Sequence, residues 1–175
     1  MDPQQVSDHL EIRDLIDRYS IALTRKSWDE MGSVFHEHAE WRCAQPFPLH
    51  FKTRKGIQDG LSGIVSQSDF IVQMLHSVAI DLDGDRATTC IVLNEMSRNE
   101  AKETGHFLLG TYNDVITRID GRWGFESRLF LPIYHDATYL PGTVVPGNGD
   151  IRTLPRASQV AGGRNASSHH KPPID

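Results

Sequence analysis

A chain of 175 residues is long enough for one well-buried domain and too short for two, so a single core is expected. Its formal charge of -5, with 18 Lys and Arg scattered among 23 acidic residues, argues against nucleic acid as a partner, because phosphate binding needs clustered cations. Cys43 and Cys90 are too few for a disulfide framework, no stretch approaches the roughly 18 apolar residues of a membrane span, and no apolar leader follows the polar start; a cytoplasmic protein with reduced thiols is expected.

Residues 1–7 are predicted to be flexible. Asp8 and Glu11 have the spacing of a capping box, and Leu10, Ile12, Leu15, Ile16, Tyr19 and Leu23 then recur at the helical period. Ser27 and Glu30 open a second helix carrying Trp28, Met31, Val34 and Phe35. Residues 39–43 read as extended. A third helix is predicted over 55–65, with Ile57, Leu61, Ile64 and Val65 on one side despite three glycines. From Met74 to Leu82 the pattern alternates, placing His76, Val78, Ile80 and Leu82 on one face, and Asp83-Gly84-Asp85 turns the chain into a strand over 86–96. Residues 103–119 and 122–131 form a second hairpin through Asp120-Gly121.

Helices first and long hairpins afterwards predict an α+β fold: a curved antiparallel sheet forming a cone-shaped half-barrel, with about three helices closing a central pocket. The domain is expected over residues 8–145, including a lid over 132–145 that keeps Tyr134, Tyr139 and Leu140. Residues 146–175, ending in a stretch almost without apolar side chains, are expected to be a disordered tail.

The run Ile12-Arg13-Asp14-Leu15-Ile16-Asp17-Arg18-Tyr19, followed by Trp28-Asp29, Val34-Phe35 and Ala39-Glu40-Trp41, resembles the opening of SnoaL-like proteins of the NTF2-like superfamily. Gly110-Thr111-Tyr112 and Asp120-Gly121-Arg122-Trp123 are similar to the last hairpin of that family, which includes scytalone dehydratase-like and hexachlorocyclohexane dehydrochlorinase-like lyases. The resemblance implies a histidine base on the third strand, at His76, supported by an aspartate at the end of the first helix. Thr24 stands at the aspartate position, and a hydroxyl cannot supply the charge that would stabilise an imidazolium. The resemblance also implies a small-molecule substrate and a homodimer or homotrimer built on the outer sheet face.

Each candidate carries two readings. His76 is either a proton-transfer group in the pocket or a core histidine satisfied by a carbonyl. His106 is either a second imidazole converging on the same cavity or a solvent-facing strand residue. Trp41 and Tyr19 are substrate contacts or packing, and Tyr134 is a substrate contact from the lid. Arg128 either binds a developing oxyanion or pairs with a nearby acid. His36 and His38 have a metal-like spacing without a third ligand, and no metal is expected. No phosphate loop, dinucleotide fingerprint or nucleophile elbow is present, so no cofactor is expected. The chemistry this implies is a cofactor-independent lyase or isomerase, of dehydratase type, acting on an apolar cyclic compound. A cyclase or epoxide-opening enzyme of polyketide or terpenoid metabolism and a non-catalytic binding module are the alternatives, and Thr24 favours the last.

Overall fold

A computed structural model describes residues 2–99 and 104–144 of the chain. The tail expected at 146–175 lies outside the described residues. Helix α1, Pro3–Arg25, begins earlier than the Asp8 spacing predicts. Asp2 accepts from the Gln5 backbone N–H while the Gln5 side chain returns to the Asp2 N–H, and Pro3 takes a first-turn position where its missing donor costs nothing. Residues 3–7, expected to be flexible, are therefore its first turns. Asp8 is no cap: it is buried, accepting from Arg118 Nη1 at 2.6 Å and Trp123 Nε1 at 3.3 Å.

The order continues with α2 (Trp28–Ser33), β1 (Phe35–Cys43), β2 (Leu49–Lys52), α3 (Arg54–Val65), β3 (Ser68–Asp83), β4 (Arg86–Asn99), β5 (Thr104–Ile119) and β6 (Arg122–Tyr139). These six strands form one sheet in the order β2-β1-β6-β5-β4-β3. The predicted hairpins form β3–β4 and β5–β6. At the second turn Asp120 and Gly121 both adopt positive φ, 51° and 74°, as a type I′ turn requires. The sheet is mixed and open, because β1 runs parallel to β6 while every other pair is antiparallel.

Two departures from simple alternation decide which side chains reach the interior. A bulge in β3 between Leu75 and Val78 inserts His76-Ser77 opposite Val92, so the inward set is Ile71, Gln73 and Leu75, then Val78, Ile80 and Leu82. One inserted residue moves the residues before it to the opposite face. The segment expected as a lid, residues 132–145, remains strand through Tyr139, paired with β5 as far as Thr104↔Tyr139, and a bulge at Ile133, opposite the Leu109–Gly110 step, reverses its facing.

Strand β3 lies at the sheet edge, and α1 covers that edge at one point. Ser20 Oγ donates to the Gln73 carbonyl at 2.8 Å, and the Gln73 N–H donates to Thr24 Oγ1 at 3.2 Å. The two hydroxyls, one turn apart on the helix, satisfy backbone groups that a free edge would leave open. Around this junction Ile12, Ile16, Tyr19, Met31, Phe35, Ile57, Ile91, Leu93, Ile116 and Phe125 form the buried core.

Candidate active site

Between the inner sheet face and helices α1 and α3 the fold leaves a cavity of about 580 Å³, a size suited to a small organic ligand. Leu23, Leu61, Val65, Ile71, Leu108 and Phe130 supply apolar wall. Tyr19 and Tyr112 line it from fully buried positions, and the half-exposed Phe47 and Ile64 mark its open side. Trp41 also lines it, its ring stacked on Phe51 with centroids 5.8 Å apart.

The deep end is a continuous polar network. Trp41 Nε1 donates to Tyr19 Oη at 3.2 Å, and Tyr19 Oη and Tyr112 Oη lie 3.5 Å apart. Gln73 uses its two amide hydrogens on Tyr112 Oη at 3.1 Å and on Glu95 Oε2 at 2.9 Å. The two phenols hold two O–H groups, but only one can lie between them; the other has no acceptor among the described residues and is available to a ligand. Glu95 likewise keeps Oε1 without a hydrogen bond among the described residues. Among the described residues no cation faces it, and burial in the apolar cavity raises its pKa, opposed by the Gln73 hydrogen bond. Burial also raises both phenols, Tyr112 the more strongly.

Of the residues expected at the site, Tyr19, Trp41 and His106 line the cavity, whereas His76, Thr24, Arg128 and Tyr134 do not. The bulge puts His76 on the outer face, where it is exposed and its Nε2 meets Asn94 Oδ1 at 2.6 Å. This corrects its expected place as a base in the pocket and its expected convergence with His106. Thr24 meets not an imidazole but the backbone of Gln73, which occupies the inward position opposite it. Tyr134 is on the outer face, because a bulge at Ile133, between the Gly110↔Pro132 and Leu109↔Tyr134 pairs, reverses the alternation that puts Phe130 inward.

Arg128 is fully buried behind the cavity rather than in it. Its guanidinium holds Asp114 through Nε at 2.9 Å and Nη2 at 2.8 Å and is enclosed by the rings of Tyr19, Tyr112 and Phe125 at 4.0–4.2 Å. Desolvation, which alone would lower its pKa, is outweighed by the Asp114 carboxylate, and the cation persists. It answers Asp114 and serves the aromatic floor, not an oxyanion. His36 Nε2 donates to the Thr117 carbonyl at 2.9 Å, and among the described residues no group of three or more His, Cys, Asp or Glu could hold a metal. Cys43 lines the cavity, but burial pushes its thiol up to about 11, so it is no nucleophile near neutral pH.

Gln73, Glu95 and His135 are not among the residues singled out from the sequence. The signal for Glu95 is present: Ala87, Thr89, Ile91 and Leu93 fix the inward face of β4, and continuing that alternation brings a carboxylate into the core. His135 faces inward from β6, bonded to His106 with Nδ1 and Nε2 3.1 Å apart.

A family model described as a SnoaL-like domain matches residues 4–129. Among solved structures, one assigned as a scytalone dehydratase from Novosphingobium aromaticivorans is 20% identical, covering 83% of this chain and 100% of its own, with a TM-score of 0.70. Hexachlorocyclohexane dehydrochlorinase LinA-type3 from Novosphingobium barchaimii is 16% identical over 83% of this chain and 100% of its own, with a TM-score of 0.74. A cystatin-like protein of unknown function from Nostoc punctiforme, at 16% identity over 77% and 94% of the two chains, scores 0.61. At these identities the likeness is one of fold. No curated protein matches the sequence.

Proposed function

Because the chain belongs to the SnoaL-like domain family, we propose that it is a cofactor-independent lyase or isomerase acting on an apolar cyclic compound, with Glu95 as the proton acceptor. The observation that carries this reading is the Glu95 carboxyl: inside a largely apolar cavity, bonded to one amide, with one oxygen free. A carboxylate with a raised pKa is a better base near neutral pH than an exposed one, and positioned proton transfer contributes about 10²–10⁴-fold to rate. The unshared O–H of the Tyr19–Tyr112 pair is the matching donor for the oxygen on which charge collects. A substrate with a carbonyl beside an acidic C–H fits both groups. Glu95 removes the proton, a phenol O–H stabilises the enolate, and a hydroxyl on the next carbon then leaves, or the double bond moves.

The test uses cyclohexanone as probe, following exchange of its α-protons in D2O by NMR. The full chain accelerates exchange, Glu95→Gln loses about 10²-fold or more, and His76→Ala retains the parent rate. Undiminished exchange in Glu95→Gln would exclude Glu95 as the base.

A second reading is a binding module without chemistry. It is favoured by the neutral groups at both ends of the α1–β3 junction, Thr24 and Gln73, where a lyase built on an imidazole and a carboxylate would carry its dyad. Cyclohexanone bound without exchange would support it. The same proposal includes self-association through the outer sheet face, where Val72, Met74, Val92, Phe107, Leu109 and Tyr134 stand exposed.

A further inference from the structure

His106 on β5 and His135 on β6 form a joined pair at the cavity wall. Their rings lie within 10° of parallel, His106 Nδ1 meets His135 Nε2 at 3.1 Å, and the Phe47 ring stands edge-on to His135 with centroids 4.9 Å apart. Two neutral imidazoles carry two N–H protons over four nitrogens, and the bridge holds one of them. If His106 Nδ1 donates in the bridge, the second proton is on His135 Nδ1 and His106 Nε2 accepts. If His135 Nε2 donates, the second proton is on His106 Nε2 and His135 Nδ1 accepts. In either case the outer nitrogens present one donor and one acceptor, and the two roles exchange when the outer proton leaves, the bridging proton shifts and the other outer nitrogen takes up a proton together.

This arrangement conducts a proton without accumulating charge. It is separate from Glu95, since His106 pairs in register with Ser97, two residues along β4, and His135 pairs with Leu108, which itself faces Glu95. The other ionisable groups lining the cavity are Glu95, Cys43, Tyr19 and Tyr112, and Asp136 follows His135 on the outer face. Burial first, and the neighbouring His135 second, hold His106 below the ordinary histidine range.

We propose that His106 and His135 form a two-imidazole relay that supplies the proton a leaving hydroxyl requires, an inference that rests on the elimination reading above. In the step, Glu95 takes the α-proton and the C–H electron pair becomes the new double bond. The carbon–oxygen bond breaks, and the hydroxyl leaves as water with a proton from one outer nitrogen. The bridging proton shifts to the ring that gave it, and solvent replaces the loss at the other outer nitrogen. Glu95 later returns its proton to solvent, and the same shifts in reverse, with solvent protonating the nitrogen that gave its proton and receiving one from the other outer nitrogen, reset the pair, so the net change is substrate to alkene plus water.

His135→Phe keeps a ring of similar size against His106 and Phe47 while removing both nitrogens. In the full chain, NMR titration of His106 is expected to show two coupled steps in the parent and one step, at higher pH, in the variant. With 3-hydroxycyclohexanone as probe, formation of cyclohexenone is expected to fall about 10²-fold in His135→Phe relative to α-exchange of cyclohexanone by the same protein. Added imidazole is expected to restore elimination in His135→Ala. An unchanged ratio of elimination to exchange, or an identical His106 titration in parent and variant, overturns the relay. Absence of exchange from the parent instead overturns the Glu95 reading and removes the relay's role with it.

Discussion

Asp8, Asp114 and Glu95 lie inside this fold with two kinds of partner. Asp8 holds Arg118, Asp114 holds Arg128, and Glu95 holds only the Gln73 amide. The first two are structural, and for the fully buried Asp114–Arg128 pair losing one partner costs about 3–5 kcal/mol, because the other charge stays buried. Glu95 has no such compensation, and its raised pKa means the folded chain resists its ionisation. At low pH the group is protonated in both folded and unfolded states. As pH rises above the unfolded value, the unfolded carboxyl ionises first, and stability is lost progressively through the folded pKa. Glu95→Gln removes this loss. Its melting temperature relative to the parent is expected to rise with pH across that window and to show no pH-dependent gain in acid; a difference independent of pH would contradict the burial of an uncompensated carboxyl.

Strand β3 illustrates what a pattern carries and what it leaves out. Both hairpins were legible, because Asp-Gly turns and alternating flanks have a direct backbone cause, and so were the helical stripes of α1 and α3. The bulge at His76-Ser77 was not, since no glycine or proline marks it, and a single inserted residue was enough to send His76 outward. Tyr134 is expected on a cover whose span, 132–145, includes His135, yet the strand sends the tyrosine outward and the histidine to the cavity. Arg128 was read beside a cavity whose floor the Tyr19 and Tyr112 rings close over it. The same junction makes a construction test. Thr24→Asp alone places a carboxylate against the Gln73 backbone and gains no imidazole. Combined with Gln73→His, it builds a carboxylate–imidazole pair at the cavity floor, expected to raise exchange of cyclohexanone above that of either single variant; equal rates in all three would show that α1 and β3 do not bring the two positions together.

At the scale of the whole molecule, one sheet separates two environments. Its inner face carries the cavity with Glu95, His106 and His135, while its outer face exposes an apolar field across β3, β4, β5 and β6 that includes Met74 and Leu109. Burying such a field between copies is favourable at about 25 cal/mol per Å² before the cost of association. Met74→Lys with Leu109→Glu is expected to shift the parent's mass in light scattering to that of a single chain, and a monomeric parent would contradict self-association through this face. Among the described residues no helix is long and apolar enough to cross a membrane, so this field is not part of a helical span.

The most direct test of the proton acceptor joins titration to rate. With Glu95 observed by carboxyl 13C NMR, the pH at which its side chain ionises is expected to lie above the ordinary carboxylate range and to coincide with the acid limb of cyclohexanone exchange. A carboxyl titrating in the ordinary range, or an acid limb that persists in Glu95→Gln, would contradict the account.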